Sequence, residues 1–503
     1  MNNKSLINLL ALDTVTNYAA ELNGISVNAI TLDSRQVSAG SLFVALNGAQ
    51  TDGRLYIDKA IDLGASAVLS EAQSDDNKDA EIINISYREG IAIIHVTHLS
   101  HLLSEIASRF YDHPQRQLKL IGVTGTNGKT TVTQLISQWL ELLGHKPYSM
   151  GTLGNGFNGH LADSPNTTLN PIDLIAHLAS ARDGGADYVV MEVSSHGLEL
   201  GRVSALHFDA TAFTNLTQDH LDFHGDMASY AKAKQQLFSA NYTDKAALNA
   251  NETIVTEWLA QWDNAVELSL FNQGQTDQSS YLEATNVVYS NHGIKADIQS
   301  SFGQGQLNSQ LLGAFNLDNL LTALNVLCLL EFSLDKLLVI APKLSAVAGR
   351  MEVFHQAKSP SVVVDYAHTP DALEKALLAL RVHCQGQLVV VFGCGGDRDQ
   401  TKRPLMARAA EQYADKVYIT QDNSRSESPE IIFSHVLAGI QQRDAIVVEY
   451  DRVRAVSQAV HAAGSEDIVL LAGKGHEDYQ LINGQRISYD ERALANELVK
   501  AYI

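Results

Sequence analysis

Short apolar runs rich in Val and Ile alternate with segments of helical period through most of this chain, the pattern of parallel strands covered by helices. The alternation predicts an α/β protein. The clearest strand runs are residues 118–123, 188–193, 362–365, 388–392, 416–420 and 468–472, and several end in Gly, Asp, Asn or His. Open α/β sheets bind ligands in the crevice at the carboxyl ends of their strands, so functional side chains are expected there.

With 503 residues the chain is longer than one hydrophobic core supports, and roughly 100 to 200 residues per domain predicts three domains. One boundary is suggested at His113-Pro114, where a helical segment over 98–111 gives way to polar residues before the strand run at 118. A second is suggested over 346–351. The polar stretch 272–310, rich in Ser, Gln and Asn, reads as a short antiparallel excursion.

The formal charge of -21 repels phosphate backbones and anionic lipid, so a bound phosphate must be held by local donors. Nucleic acid is not expected as a partner. Cys328, Cys384 and Cys394 are odd in number and lack the paired spacing of zinc or redox sites, which reads as buried thiols in a reducing compartment. The first residues are too weakly basic and their apolar stretch too short for a secretory signal, and no run of about 18 apolar residues occurs. A cytoplasmic protein without membrane contact is expected.

The segment Gly122-Val-Thr-Gly-Thr-Asn-Gly-Lys-Thr-Thr131 follows a strand run and precedes an amphipathic run over 132–143. Glycines let the backbone turn its N–H groups toward an anion, the helix N-terminus adds partial positive charge, and Lys129 adds a full one. The Thr130 hydroxyl can reach a Mg²⁺ ion. Val123 stands where the strict phosphate-loop pattern has its first Gly, so the spacing is Gly-X-X-Gly-X-X-Gly-Lys-Thr. Strand before and helix after favour nucleotide binding over an ordinary turn.

Glu192 closes the strand run that starts at Tyr188, just before Ser194-Ser-His-Gly197, and a buried carboxylate there is costly unless paired or bound to metal. Downstream lie Asn215-Leu-Thr-Gln-Asp-His220 and a helix carrying Tyr230 and Lys234. Spacing alone leaves His220 open between a metal ligand and a satisfied structural histidine. It equally leaves Lys234 open to being a solvated surface charge.

The set Gly125-Thr-Asn-Gly-Lys-Thr-Thr131, Glu192-Val-Ser-Ser-His, Asp219-His-Leu-Asp, Gly313-Ala-Phe-Asn316-Leu-Asp-Asn319, Gly349-Arg350-Met-Glu, Asp365-Tyr-Ala-His-Thr-Pro and Gly473-Lys-Gly-His-Glu477 resembles the Mur ligases. Within that family it is most similar to the branch that adds diaminopimelate. The resemblance runs in order along nearly the whole chain. It implies a smaller N-terminal α/β domain binding a UDP-substrate (1–116), a central P-loop ATPase-like domain with a mostly parallel sheet (117–347), and a Rossmann-like C-terminal domain binding the amino acid (348–503).

By the same resemblance, Lys129, Glu192, His220 and Lys234 are implied as catalytic, with Thr130, Glu192, His220 and Lys234 serving Mg²⁺. Gly125, Thr126, Asn127, Gly128, Lys129, Thr130, Thr131, Asn316, Asn319, Arg350 and Asp365 are implied to frame ATP. Lys234 matches the lysine that the family carries as a carbamate, which turns a cation into an anion able to hold a second Mg²⁺. The UDP-sugar peptide is implied to meet Leu32, Ser34, Ala49, Gln50, Thr51, Asn166, Thr167, Thr168, Ser194, Leu200 and Arg202. Ala49 replaces a usual histidine and Leu200 a usual glutamine, each losing a hydrogen bond worth about 0.5 to 1.5 kcal/mol.

Diaminopimelate users carry Asp-Asn-Pro-Arg at a loop that here reads Asp422-Asn423-Ser424-Arg425. A planar guanidinium can grip the far carboxylate of diaminopimelate with two parallel hydrogen bonds, and lysine offers it nothing. Arg398, Gly473 and Glu477 complete the matching positions, with Glu477 suited to a substrate ammonium. Composition alone reads 422–425 as a polar turn after a strand. Ser424 in place of Pro is expected to leave the loop freer.

The resemblance therefore implies an ADP-forming ligase that joins meso-diaminopimelate to UDP-N-acetylmuramoyl-L-alanyl-D-glutamate through an acyl phosphate, acting as a monomer in peptidoglycan precursor synthesis. The alternatives are a lysine-adding relative, a folylpolyglutamate-type synthetase, or a silent protein that binds these ligands without turnover.

Overall fold

The computed structural model describes residues 3–48, 51–73, 81–262, 265–272, 280–442 and 445–502. Two compact units, Met1–Ser269 and Leu270–Ile503, divide it. Among the described residues no helix is long and apolar enough to cross a membrane.

The first unit opens with a five-stranded sheet in the order Ala29–Thr31, Ser41–Ala45, Ala65–Ala72, Ile91–Thr97, Ile82–Arg88. All neighbours are parallel except the last pair, which forms an antiparallel edge. Phe43, Ala45, Val68 and Ile93 point to one face, where Ile57, Ala60 and Ile61 of the helix Ile57–Asp62 cover them. Strands buried in this way read as continuous apolar runs, and Ser41–Ala45 is buried at every position.

The same unit then builds a second sheet around Lys119–Thr124. Tyr188–Glu192 and Ala210–Phe213 pair with it in parallel on either side. Pro147–Gly151 lies beyond Tyr188–Glu192, and Lys245–Asn249 beyond Ala210–Phe213, again in parallel. The hairpin Gly154–Phe157 and His160–Ala162 closes one edge. This register brings Thr124, Gly151, Glu192 and Phe213 to the carboxyl edge of neighbouring strands.

In the second unit Ser280–Ser290, Gly293–Ser300 and Gly303–Ser309 form an antiparallel meander, the excursion expected within 272–310, of which 273–279 lie outside the described residues. A six-stranded sheet follows in the order Glu352–Phe354, Ser361–Asp365, Ile468–Ala472, Leu388–Phe392, Lys416–Ile419, Ile446–Val448, parallel apart from its first strand. Side chains alternate between its faces as a period of two requires. Val363, Leu388, Val390 and Phe392 pack under the helices Pro370–Arg381, Lys402–Tyr413 and Pro429–Leu437. Val362, Val364, Val389 and Val391 pack under Arg452–Ala462 and Glu491–Lys500. The α/β class holds, and the six strand runs read from sequence agree with observed strands to within one residue at each end.

Candidate active site

The loop after Lys119–Thr124 turns on Gly125 and Gly128, with φ of 146° and 84°, and Gly128 caps the helix Lys129–Leu142. A methyl group at Gly125 would lie 1.9 Å from Thr214 Oγ1, so only glycine fits there. Residues 215–217 clasp the loop. Thr126 N–H donates to Asn215 O at 2.8 Å, and Asn127 N–H to Asn215 Oδ1 at 2.9 Å. Asn127 Nδ2 donates to Thr217 Oγ1 at 3.2 Å, while the Thr126 hydroxyl lies 3.1 Å from the Tyr230 hydroxyl. Lys129 folds its Nζ onto Gly125 O and Thr126 O, both at 2.8 Å, and burial lowers its pKa. A triphosphate would give that ammonium a better partner than two carbonyls. Thr131 follows in the first helical turn.

Glu192 is 2% exposed at the end of its strand, and burial raises its carboxyl pKa. The Thr130 hydroxyl donates to it at 3.0 Å, Thr152 N–H at 2.8 Å and the Thr152 hydroxyl at 3.2 Å. A methyl group at Gly151 would stand 2.2 Å from Glu192 Oε1, so a side chain there would displace the Glu192 carboxylate. A carboxylate and a hydroxyl thus meet beside the phosphate loop, the hard oxygen donors that Mg²⁺ takes, and the residues present fit that ion. Among the described residues no three His, Cys, Asp or Glu side chains form a metal-holding group. His220, in the left-handed region at φ 52°, instead sets its ring edge-on to His196 at 4.9 Å.

Lys234 is 1% exposed on the helix Met227–Gln235, which excludes the solvated-charge alternative. Its Nζ donates to Gly125 O at 2.9 Å and lies 4.4 Å from the centre of the Tyr230 ring. Burial, and then repulsion from Lys129, brings its pKa down to about 6. It therefore lies against the phosphate loop as a largely neutral amine at pH 7.

A chain of contacts ties Glu192 to the residues expected for the UDP-sugar peptide. The Thr168 hydroxyl donates to Glu192 O at 3.0 Å and accepts from Ser194 N–H at 2.9 Å, and Arg202 Nη1 donates to Thr168 O at 2.7 Å. The Thr167 hydroxyl meets that of Thr152 at 3.1 Å. Asn166 sits just before them, its carbonyl accepting from Ser164 Oγ at 2.7 Å. Leu200 is 42% exposed at the end of a short helix and offers no polar atom.

Leu32, Ser34 and Thr51 line a separate cavity of about 470 Å³ in the N-terminal sheet region, with Tyr56 and Lys59 at its wall. Two Asp-X-Arg turns flank it. Asp33 caps Arg35 N–H and grips its guanidinium, and Asp52 does the same for Arg54. Ala49 and Gln50 lie outside the described residues.

In the second unit Asn316 and Asn319 share one face of the helix Ala314–Leu329, where Asn319 Nδ2 donates to Asn316 Oδ1 at 2.9 Å. Asp365 accepts from Met351 N–H and Ala367 N–H, both at 2.8 Å, and burial raises its pKa. The exposed Arg350 lays its guanidinium over the Tyr366 ring at 5.1 Å.

The loop 422–425 follows the strand Lys416–Ile419. Arg425, at φ 53°, donates from Nη1 to Gly396 O at 2.8 Å and from its backbone N–H to Leu481 O at 2.9 Å. Its guanidinium is half-buried and has no ion pair among the described residues. Asn423 Nδ2 donates to Glu477 Oε2 at 3.1 Å. Ser424 is 1% exposed, and its hydroxyl accepts from Gln421 Nε2 at 3.0 Å. A methyl group at Gly473, φ 110°, would lie 2.9 Å from Asp422 Oδ2. Arg398 is exposed on the loop after Gly395.

Sequence reading left out Lys474, which is fully buried and bonds Asp422, Asn423 and Glu477. The signal was its place between two glycines directly after an apolar strand. It also left out Thr152, which no sequence pattern singles out.

Three family models match the chain: "Mur ligase family, catalytic domain" over residues 26–111, "Mur ligase middle domain" over 123–327, and "Mur ligase, glutamate ligase domain" over 349–475. The chain belongs to the Mur ligase family. It is 47% identical over 502 residues to the UDP-N-acetylmuramoyl-L-alanyl-D-glutamate–2,6-diaminopimelate ligase of Vibrio cholerae, covering 99% of both chains. A solved ligase of the same name is 34% identical, with a TM-score of 0.74 and 95% of each chain covered. A folylpolyglutamate synthase from Thermotoga maritima shares the fold alone, at 15% identity and a TM-score of 0.57 over 74% of this chain and 89% of its own.

Proposed function

We propose that this Mur ligase adds meso-diaminopimelate to UDP-N-acetylmuramoyl-L-alanyl-D-glutamate at the expense of ATP, in the cytoplasm and as a monomer. The observation that carries the choice of amino acid is the Arg425 guanidinium, half-buried and with no ion pair among the described residues, joined through Asn423 to Glu477. One end of a diamino diacid is a zwitterion, and a guanidinium and a carboxylate linked by one asparagine suit it. Lysine brings no acid to that end and would leave Arg425 unpaired at a cost of a few kcal/mol. The relatives' names agree with this reading.

The division of labour follows the three-domain reading, 1–116 for the UDP-substrate, 117–347 for ATP and 348–503 for the amino acid. Leu32, Ser34, Ala49, Gln50 and Thr51 would hold the UDP end, and Asn166, Thr167, Thr168, Ser194 and Arg202 the peptide end. The loop 125–131 would hold the triphosphate, with Asn316, Asn319, Arg350 and Asp365 around the rest of the nucleotide. Thr130 and Glu192 would hold Mg²⁺ with His220 and a carbamylated Lys234, and the ion, when bound, supplies positive charge to the phosphates.

A carboxylate is a poor acyl donor, so the substrate's γ-carboxylate oxygen first attacks the γ-phosphorus of ATP. The bond from that phosphorus to ADP breaks, and an acyl phosphate forms. The neutral amine of diaminopimelate then attacks the acyl carbon, loses a proton, and expels phosphate as the amide forms. Lys129 offsets the charge that builds on the phosphate oxygens, and the remaining residues hold the reactants in line.

Amino-acid-dependent ADP release by the purified chain tests the proposal. Turnover with meso-diaminopimelate and little with lysine is expected. Turnover with lysine alone would overturn the assignment of Arg425, and ATP binding without any phosphate release would mean a silent binding protein.

A further inference from the structure

Lys474 has no exposure and stands between the two glycines that follow the strand Ile468–Ala472. A lone buried ammonium is among the costliest groups to desolvate, so its partners define its role. Its Nζ lies 2.8 Å from Asn423 Oδ1, 2.9 Å from Tyr479 O, and 3.0 Å from both Asp422 Oδ1 and Glu477 Oε2. An ammonium has three protons, and four acceptors surround this one.

Those contacts fix two side chains. Asn423 Oδ1 accepts from Lys474 and from Leu481 N–H at 2.8 Å, which sets its amide so that Nδ2 faces Glu477. Glu477 Oε2 then receives donors from both Asn423 and Lys474. Glu477 Oε1 takes no hydrogen bond among the described residues, on a carboxylate that is 17% exposed. Asp422, by contrast, has only 11% of its side chain exposed and faces the lysine. The fully buried Arg452 donates to Ala472 O at 2.9 Å and pairs with Glu491 at 2.7 Å, which ties down the strand end that precedes Lys474.

We infer that Lys474 is a positioning residue for the amino-acid substrate. It saturates one oxygen of Glu477, fixes the Asn423 amide, and neutralises Asp422, so that a single carboxylate oxygen, Glu477 Oε1, is presented to the substrate ammonium. The inference rests on the amino-acid site proposed above. Without the lysine, Glu477 can rotate, Asn423 can turn over, and two acids compete for one ammonium. The effect belongs to the amino acid and not to ATP or the UDP-substrate.

The test is steady-state kinetics of Lys474→Met, with each substrate varied in turn and thermal unfolding followed in parallel. Wild-type turnover with meso-diaminopimelate is measured first, and its absence would end the functional reading itself, separately from the role of Lys474. Given that turnover, the KM for the diamino acid is expected to rise at least tenfold, with the other two KM values within threefold and kcat affected less. A folded variant with an unchanged diamino-acid KM, or with all three KM values raised together, overturns the inference. Should Asp422 without its partner unfold the single variant, Lys474→Met is combined with Asp422→Asn and compared with Asp422→Asn alone. A further tenfold rise supports the role, and equal KM values overturn it.

Discussion

Lys234 shows how strongly position governs the chemistry of one residue. In water its amine would be protonated at pH 7, whereas here burial and Lys129 bring its pKa down to about 6, so the neutral form dominates. A neutral amine is the nucleophile that adds to carbon dioxide, forming a carbamate with release of a proton. The proposed modification is therefore chemically prepared before any metal binds. We predict a carbamate resonance in the protein equilibrated with ¹³C-labelled bicarbonate, absent from Lys234→Ala. That variant is expected to lose about 10² to 10³ in kcat and to recover part of it with added short carboxylates. A fully active Lys234→Ala would remove the residue from the site. Sequence alone could not separate this lysine from a solvated one, because the helix Met227–Gln235 is short, polar and without a strong apolar stripe.

At the scale of elements, the loop 395–399 and the turn 424–427 are both held by Arg403 of the helix Lys402–Tyr413. Glu427 accepts from both terminal nitrogens of the fully buried Arg403, at 2.7 and 2.6 Å, and Arg403 also reaches Gly395 O at 3.1 Å. The guanidinium holds the Glu427 carboxyl down to about 2, below its ordinary 4.5. A carboxyl with a depressed folded-state pKa stabilises the fold above its unfolded value, and that contribution fades as pH falls through the folded one. Glu427→Gln is therefore expected to lower the denaturant midpoint at pH 7, with the gap from wild type closing between pH 4.5 and 2. A gap independent of pH would mean packing, not charge, holds the two loops. The strands of these elements were legible because a strand buried on both faces is apolar at every position, as Leu388–Phe392 is. The phosphate loop was legible because its glycines are forced by φ and by Thr214. The supports were not: Thr152 reaches Glu192 through sheet register, and Lys474 reaches Asn423 across 51 residues, neither of which leaves a local pattern.

For the whole molecule, the proposed reaction brings together three substrates whose residues come from widely separated stretches of chain. The UDP-binding positions begin at Leu32, the phosphate loop starts at Gly125, and the amino-acid loop lies at 422–425. An acyl phosphate is quickly lost to water, so the amine must already be in place when it forms, and water must be excluded. Domain closure is the usual means, with a few residues at element ends absorbing the change in φ and ψ. The stretch 344–350, which joins the last 3-10 turn, Ala341–Lys343, to the strand Glu352–Phe354, contains Gly349 at φ 66° and is suited to that role. We therefore predict a smaller radius of gyration in solution scattering when a non-hydrolysable ATP analogue and the UDP-substrate are both present than with either alone. Identical scattering curves in all conditions would mean that the substrates meet without domain movement, and the search for what excludes water would then turn to the loops around Glu192.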